Sequence, residues 1–71
     1  MNIGESIREK RMKKGWSQGK LAEMVYVSQQ TVGLWENERV FPQLESLILL
    51  ADVFECSLDD LAGRKWKEKN I

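Results

Sequence analysis

The feature that most constrains this 71-residue chain is a pair of serine-capped helical segments, set so close together that only a tight turn can join them. The first opens at Ser17 and continues Gln18-Gly19-Lys20-Leu21-Ala22-Glu23-Met24-Val25; the second opens at Ser28 and continues Gln29-Gln30-Thr31-Val32-Gly33-Leu34-Trp35-Glu36. A serine hydroxyl at the N-cap accepts from a backbone N–H of the first turn, which is why serine marks helix starts. Leu21, Ala22 and Val25 supply the inner side of the first segment, and Val32 and Trp35, three apart, share the inner side of the second. Val27, just before the second cap, can staple onto Val32 at the fourth helical position. The first segment is barely two turns long, Gly19 lowers its propensity, and Lys20 stands where a capping box would place glutamate. Packing against the rest of the chain must therefore hold it.

The second segment has an uncharged, hydrogen-bonding leading edge. Gln29, Gln30, Gly33 and Leu34 are expected to point largely away from the core at its exposed end. Glutamine can pair bidentately with adenine N6 and N7 in the major groove, and an exposed leucine can pack on a thymine methyl. Paired glutamines are also ordinary solvated helix residues, so the flanks carry the weight of the argument. Two short helices joined so tightly form a helix-turn-helix candidate.

The remaining elements are legible from periodicity. Ile3, Ile7 and Arg11 fall at four-residue spacing on a first helix from about Ile3 to Lys14, ended by Gly15. An arginine in line with two isoleucines needs a buried partner, because an unpaired interior charge is too costly to keep, and Glu36 is the candidate. Met12 is expected to pack at the edge of this helix, with Lys10 and Lys13 laying their methylenes on the surface. Residues 37–42 form a connector, with Pro42 near the start of the next helix. From about Gln43 to Phe54 the pattern predicts an inner stripe of Leu44, Leu47, Ala51 and Phe54, Ile48 and Leu50 at its margins, and Leu49 and Val53 facing the other way. Ser57 caps a last short helix from Leu58 to Ala62, where Asp60 completes a capping-box pattern, Leu58 and Leu61 turn inward and Gly63 ends the element. The expected fold is all-α, with Leu21, Val32, Trp35, Leu47, Ala51, Phe54 and Leu61 in one core and Trp16 and Trp35 substantially buried. Residues 1–63 form the domain, and residues 64–71 a basic tail carrying Trp66 and Ile71.

Composition bounds the chemistry. At 42% hydrophobic residues over this length the chain forms one globular domain with a small core. No run approaches the ~20 apolar residues of a membrane span, and the N-terminus lacks a signal-peptide core, so a cytoplasmic protein without a membrane partner is expected. Cys56 is a single cysteine and histidine is absent, which excludes an internal disulfide and a zinc site of the usual Cys/His kind. Cys56 is expected to be small core filler, and no metal or cofactor is implied. Formal charge is zero but unevenly spread: residues 1–20 carry six basic and two acidic side chains, residues 21–63 one and eight, and residues 64–71 four and one. A basic N-terminal segment can steer a polyanion while acidic helices face elsewhere, although charge runs are commonly just solvated surface.

The ordered set Ile3-Gly4, Lys14-Gly15-Trp16-Ser17-Gln18, Leu21-Ala22, Val27-Ser28-Gln29-Gln30-Thr31-Val32, Trp35-Glu36-Asn37, Phe41-Pro42, Leu50-Ala51-Asp52 and Ser57-Leu58-Asp59-Asp60-Leu61 resembles the Cro and phage-repressor type helix-turn-helix domains, the Xre-like transcriptional regulators. The resemblance runs from Ile3 to about Gly63. It implies a compact five-helix, lambda-repressor-like domain whose third helix enters the DNA major groove while the second lies across the backbone. On that reading Gln29, Gln30, Gly33 and Leu34 face base edges, and Gln18, Ser28, Thr31, Asn37 and Arg39 approach the DNA backbone. Arg11 and Glu36 also fall on positions that form a buried, structural ion pair in some members. The chain departs from the family pattern at four places. Tyr26 stands where glycine usually makes a left-handed turn, Glu38 replaces a common glycine, Gly33 lies inside the recognition helix, and Leu34 stands where polar or basic residues are frequent.

The function expected is transcriptional regulation by site occupancy, a homodimer covering a palindromic operator and acting as a repressor. The competing class is a protein-interaction module, an antitoxin or assembly adaptor using Leu49, Val53 and Trp66. Those three residues are equally the expected dimer interface. An enzyme is disfavoured, since the sequence has no histidine, no glycine-rich phosphate loop and no nucleophile with an evident base. Asp59 and Asp60 read as helix-start charge.

Overall fold

The computed structural model describes residues 2–63, and the expectations placed on Trp66, Ile71 and the rest of the tail lie outside them. Five helices and no strand occur among the described residues: α1 (Ile3–Lys13), α2 (Gln18–Met24), α3 (Gln29–Glu36), α4 (Leu44–Phe54) and α5 (Leu58–Leu61). None is long and apolar enough to cross a membrane. The serine caps do what the sequence asks of them. Ser17 Oγ accepts the Lys20 N–H at 3.0 Å, Ser28 Oγ the Thr31 N–H at 3.1 Å, and Ser57 Oγ the Asp60 N–H at 3.0 Å. Each satisfies an N–H with no partner inside its helix. The chain leaves α1 through Gly15, where the sequence ends the helix, in the left-handed conformation at φ +75°.

The core collects the apolar stripes of all five helices. Ile3, Ile7, Leu21, Ala22, Val25, Val32, Trp35, Leu50, Ala51, Phe54 and Leu61 are buried, with Trp16, Val27, Leu47, Leu49, Val53 and Cys56 partly buried against them. Burying a side chain the size of leucine is worth about 1.5–3 kcal/mol, so this cluster is what holds helices too short to stand alone. Trp16 stacks on Phe54 with ring centroids 5.9 Å apart, and the Lys14 ammonium lies 5.8 Å from the Trp16 ring. The link between α1 and α3 is unusually close. A Cβ on Gly4 would sit 2.5 Å from the Trp35 carbonyl oxygen and 2.8 Å from that of Glu36, so any side chain there would push the two helices apart.

Four side-chain expectations are corrected. Leu44 is 64% exposed, whereas Leu50 is fully buried. The inner stripe of α4 is Leu47, Leu50, Ala51 and Phe54, spaced i, i+3, i+4 and i+7, and Leu44 lies one turn beyond the end of the core. Leu49 and Val53 do not face away but pack partly against the core, because α4 is flanked by both α1 and α5 and its apolar arc is correspondingly wide. Leu58 is exposed while Leu61 is fully buried: the two share a face, but Leu58 is the first residue of α5 and stands at the edge of the core, which only Leu61 enters. Met12 is exposed on α1 and does not pack at its edge.

Candidate nucleic-acid interface

The candidate interface is built around a buried carboxylate at the end of α3. The Glu36 side chain is fully buried, which an acid tolerates only if its oxygens are satisfied. Arg11 of α1 does most of this in bidentate geometry: Nε donates to Oε2 at 2.7 Å and Nη2 to Oε1 at 3.1 Å. A third Arg11 donor, Nη1, reaches the Trp16 carbonyl at 2.8 Å and pins the α1–α2 connection to the same guanidinium. Gln18 Nε2, at the start of α2, donates to Glu36 Oε1 at 3.1 Å. The pair expected from four-residue spacing is therefore present, with the Arg11 side chain 14% exposed. Burial alone would raise the Glu36 pKa. Hydrogen bonds from Arg11 and Gln18, the Arg11 charge and a further bond from Arg8 outweigh it, and the carboxyl is held below the ordinary value of 4.5.

This anchor fixes which side of α3 meets solvent. Val32, Trp35 and Glu36 are turned in, Gln29 and Gln30 are exposed, and Gly33 and Leu34 are half-buried. Gln18, Gln29, Gln30, Gly33, Leu34 and Asn37 together line one open depression of about 510 Å³. All four expected base-reading positions and two of the expected backbone positions are thus gathered on one surface. Among the other expected backbone groups, Ser28 and Thr31 hydroxyls lie 3.0 Å apart and engage each other at the start of α3, and Arg39 is exposed beyond its end. Gln18 is not a free side chain, because one of its amide donors is committed to Glu36.

The two departures at glycine positions are resolved without a change of path. Tyr26 (φ +63°) and Glu38 (φ +61°) both adopt the left-handed backbone a glycine would take, and Tyr26 is 83% exposed. Glu38 also uses its side chain. One carboxylate oxygen accepts the Gly4 N–H at 3.2 Å, drawing the negative charge to the start of α1, where the helix dipole favours it.

Sequence reading missed Arg8. Its Nε lies 3.4 Å from Glu36 Oε1 and its Nη2 donates to Asn37 Oδ1 at 3.4 Å, with the side chain 48% exposed. The available signal was its position three residues before Arg11, which puts two guanidinium groups side by side on α1. No group of His, Cys, Asp or Glu among the described residues is arranged to hold a metal ion.

Comparison with known proteins agrees with this architecture. The Helix-turn-helix family profile matches residues 7–61. The chain is 35% identical over 65 residues to the HTH-type transcriptional regulator AnsR of Bacillus subtilis, covering 92% of this chain and 55% of that protein. It is 29% identical over 70 residues to the cryptic phage CTXphi transcriptional repressor RstR of Vibrio cholerae, covering 99% of this chain and 62% of the relative. The chain spans only about half the length of most curated relatives it matches, and 30% of the transcriptional activator BcrR of Enterococcus faecalis. Among solved structures, the P22 c2 repressor bound to a synthetic operator superposes with a TM-score of 0.81 at 36% identity, over 86% of this chain and 92% of that one. Five helices without a strand among the described residues, the serine-capped α2–α3 pair and the profile match over most of the chain lead to one conclusion: the protein belongs to the helix-turn-helix family of Cro and phage-repressor type, the Xre-like regulators.

Proposed function

We propose that this protein is a sequence-specific transcriptional regulator, a cytoplasmic repressor that binds duplex DNA as a homodimer on a palindromic operator. The observation that carries the reading is the solvent face of α3. Gln29 and Gln30 are exposed side by side, flanked by Gln18 and Asn37 on one open surface, while the opposite side of the helix is locked by Glu36. A helix so held can enter the major groove as a rigid body, and its glutamines carry the donor and acceptor pair that adenine presents there. In this reading residues 1–63 are the DNA-binding unit and residues 64–71 an appended basic tail.

The dimer supplies what one small domain lacks, a second set of phosphate contacts at a spacing of about 34 Å, one turn of B-DNA. The proposed contact runs through α5, the part of Leu49 and Val53 on α4 that the core leaves uncovered, and Trp66. Leu44 and Ile48 on α4 and Leu58 on α5 add exposed apolar surface to the same two helices. Sedimentation at micromolar concentration, with and without operator DNA, tests this part; a monomer in both conditions refutes it.

Selection of bound sequences from random duplex DNA at two salt concentrations tests the whole. The expected outcome is an enriched, two-fold symmetric site whose affinity falls steeply with salt. On that site Gln29→Ala or Gln30→Ala costs roughly 1–3 kcal/mol and relaxes preference at an adenine position, whereas Arg39→Ala weakens binding to all sequences. Binding with neither sequence preference nor salt dependence would refute the reading and favour a protein-interaction module.

A further inference from the structure

We infer that Arg8 and Asn37 form one seat for a phosphate of the DNA backbone at the C-terminal end of α3, Arg8 supplying the charge and holding the Asn37 amide in its working orientation. The inference rests on the reading of α3 as a DNA-contacting helix and adds a residue from α1 to that surface.

Three observations support it. The first is charge. Glu36 is already neutralised by Arg11 through two short bonds, so the second guanidinium, 3.4 Å away on a half-exposed side chain, brings a positive charge that no other described acid bonds to. The second is geometry. Arginine has no acceptor, so the Asn37 atom facing Arg8 Nη2 must be the carbonyl oxygen, and the amide's two N–H donors are turned the other way. Asn37 lines the same open depression as Gln18, Gln29 and Gln30, so the donors that Arg8 leaves free belong to a residue on the surface that the proposed function offers to DNA. The third is the location. Asn37 is the C-cap of α3, where outward-facing carbonyls give the helix end a partial negative charge of about half a unit. A phosphate is repelled from such an end unless a cation is placed beside it, and Arg8 is that cation.

Titration of duplex binding between 50 and 200 mM salt, on a site the wild type selects, tests the assignment. Arg8→Gln is expected to weaken binding to selected and unrelated duplexes alike and to make the slope of log K against log salt shallower by about 0.9, one phosphate contact. Across that four-fold salt range the variant then loses about 3.5-fold less affinity than wild type. Arg8→Lys keeps the charge and is expected to restore the slope. Because lysine lacks the second arm that holds Asn37, affinity should stay below wild type and Asn37→Ala should cost less in that background. Glu36 retains Arg11 in both variants, and thermal melts confirm that each is folded. A folded Arg8→Gln variant with the wild-type slope would overturn the inference and leave Arg8 as a prop for Glu36. Salt-insensitive binding by the wild type itself would instead remove the functional reading on which the inference stands.

Discussion

Replacing Glu36 by alanine is the sharpest test of how this domain is held together. The substitution removes the acceptor of both short Arg11 bonds and of the Gln18 amide, and leaves an arginine whose side chain is only 14% exposed. Breaking a buried ion pair from one side costs about 3–5 kcal/mol. The lower end applies here, because Arg11 keeps its bond to the Trp16 carbonyl and retains a narrow path to water. A domain of this size has a total stability of about 4–11 kcal/mol, so a loss of about 3 kcal/mol removes a large share of it and lowers Tm by about 12–24 °C. Thermal and urea melts at pH 7 measure this directly. The double variant Arg11→Met/Glu36→Ala removes the stranded charge and should recover much of the loss, since apolar replacement of a whole buried pair is often neutral. A single variant within 0.5 kcal/mol of wild type, as an order of magnitude for surface changes, or a double variant no more stable than the single one, would refute the argument. The same pair fixes an acid limit. A carboxyl held below its ordinary 4.5 contributes fully above about that pH, and its contribution is lost as pH falls through the lowered folded-state value. Wild type should therefore lose stability below about pH 4.5, and Glu36→Gln should flatten that decline.

Three further outcomes are expected, all read by thermal melts. Tyr26→Gly should stabilise by about 0.5–1 kcal/mol, because a left-handed non-glycine residue costs about 1–2 kcal/mol and this side chain is nearly fully exposed, while glycine returns part of the gain as unfolded-state entropy. Glu38→Gly relieves the same backbone strain but uncaps the Gly4 N–H, so it should gain less than Tyr26→Gly; an equal gain would mean the cap contributes nothing. Gly33→Ala should add roughly 1 kcal/mol of helix propensity, since a Cβ there meets only Gln18 side-chain atoms at 3.8 and 3.9 Å; destabilisation would show that the space is not open.

Much of this architecture was readable from local signals. Serine caps are written in three or four consecutive residues, and all three lie where the sequence puts them. The Arg11–Glu36 pair was legible for a different reason: a charged residue on an apolar stripe is a conflict with one economical resolution. The α4 stripe was misassigned at Leu44 and Leu50 because a helix that is apolar nearly all round carries no internal sign of which leucine lies beyond the core's edge. Leu49 and Val53 were misread for the same reason, as the width of a buried arc depends on how many neighbours flank the helix. The roles of Arg8 and Glu38 required three dimensions. Arg8 meets Asn37 across 29 positions and Gly4 meets Glu38 across 34, and neither contact leaves a periodic trace.

The division of labour along α3 has an evolutionary corollary. Val32, Trp35 and Glu36 carry the attachment of the helix, while Gln29 and Gln30 are exposed and carry none of it. Replacements at the two glutamines are consequently close to neutral for folding, so if they read bases as proposed, the target sequence can drift or be reprogrammed through a few codons without passing through an unfolded intermediate. Glu36 is the opposite case. It is joined by side-chain hydrogen bonds to residues from α1 and from the start of α2, so a change there must be matched by a second change elsewhere, and lineages should exchange these partners together or not at all.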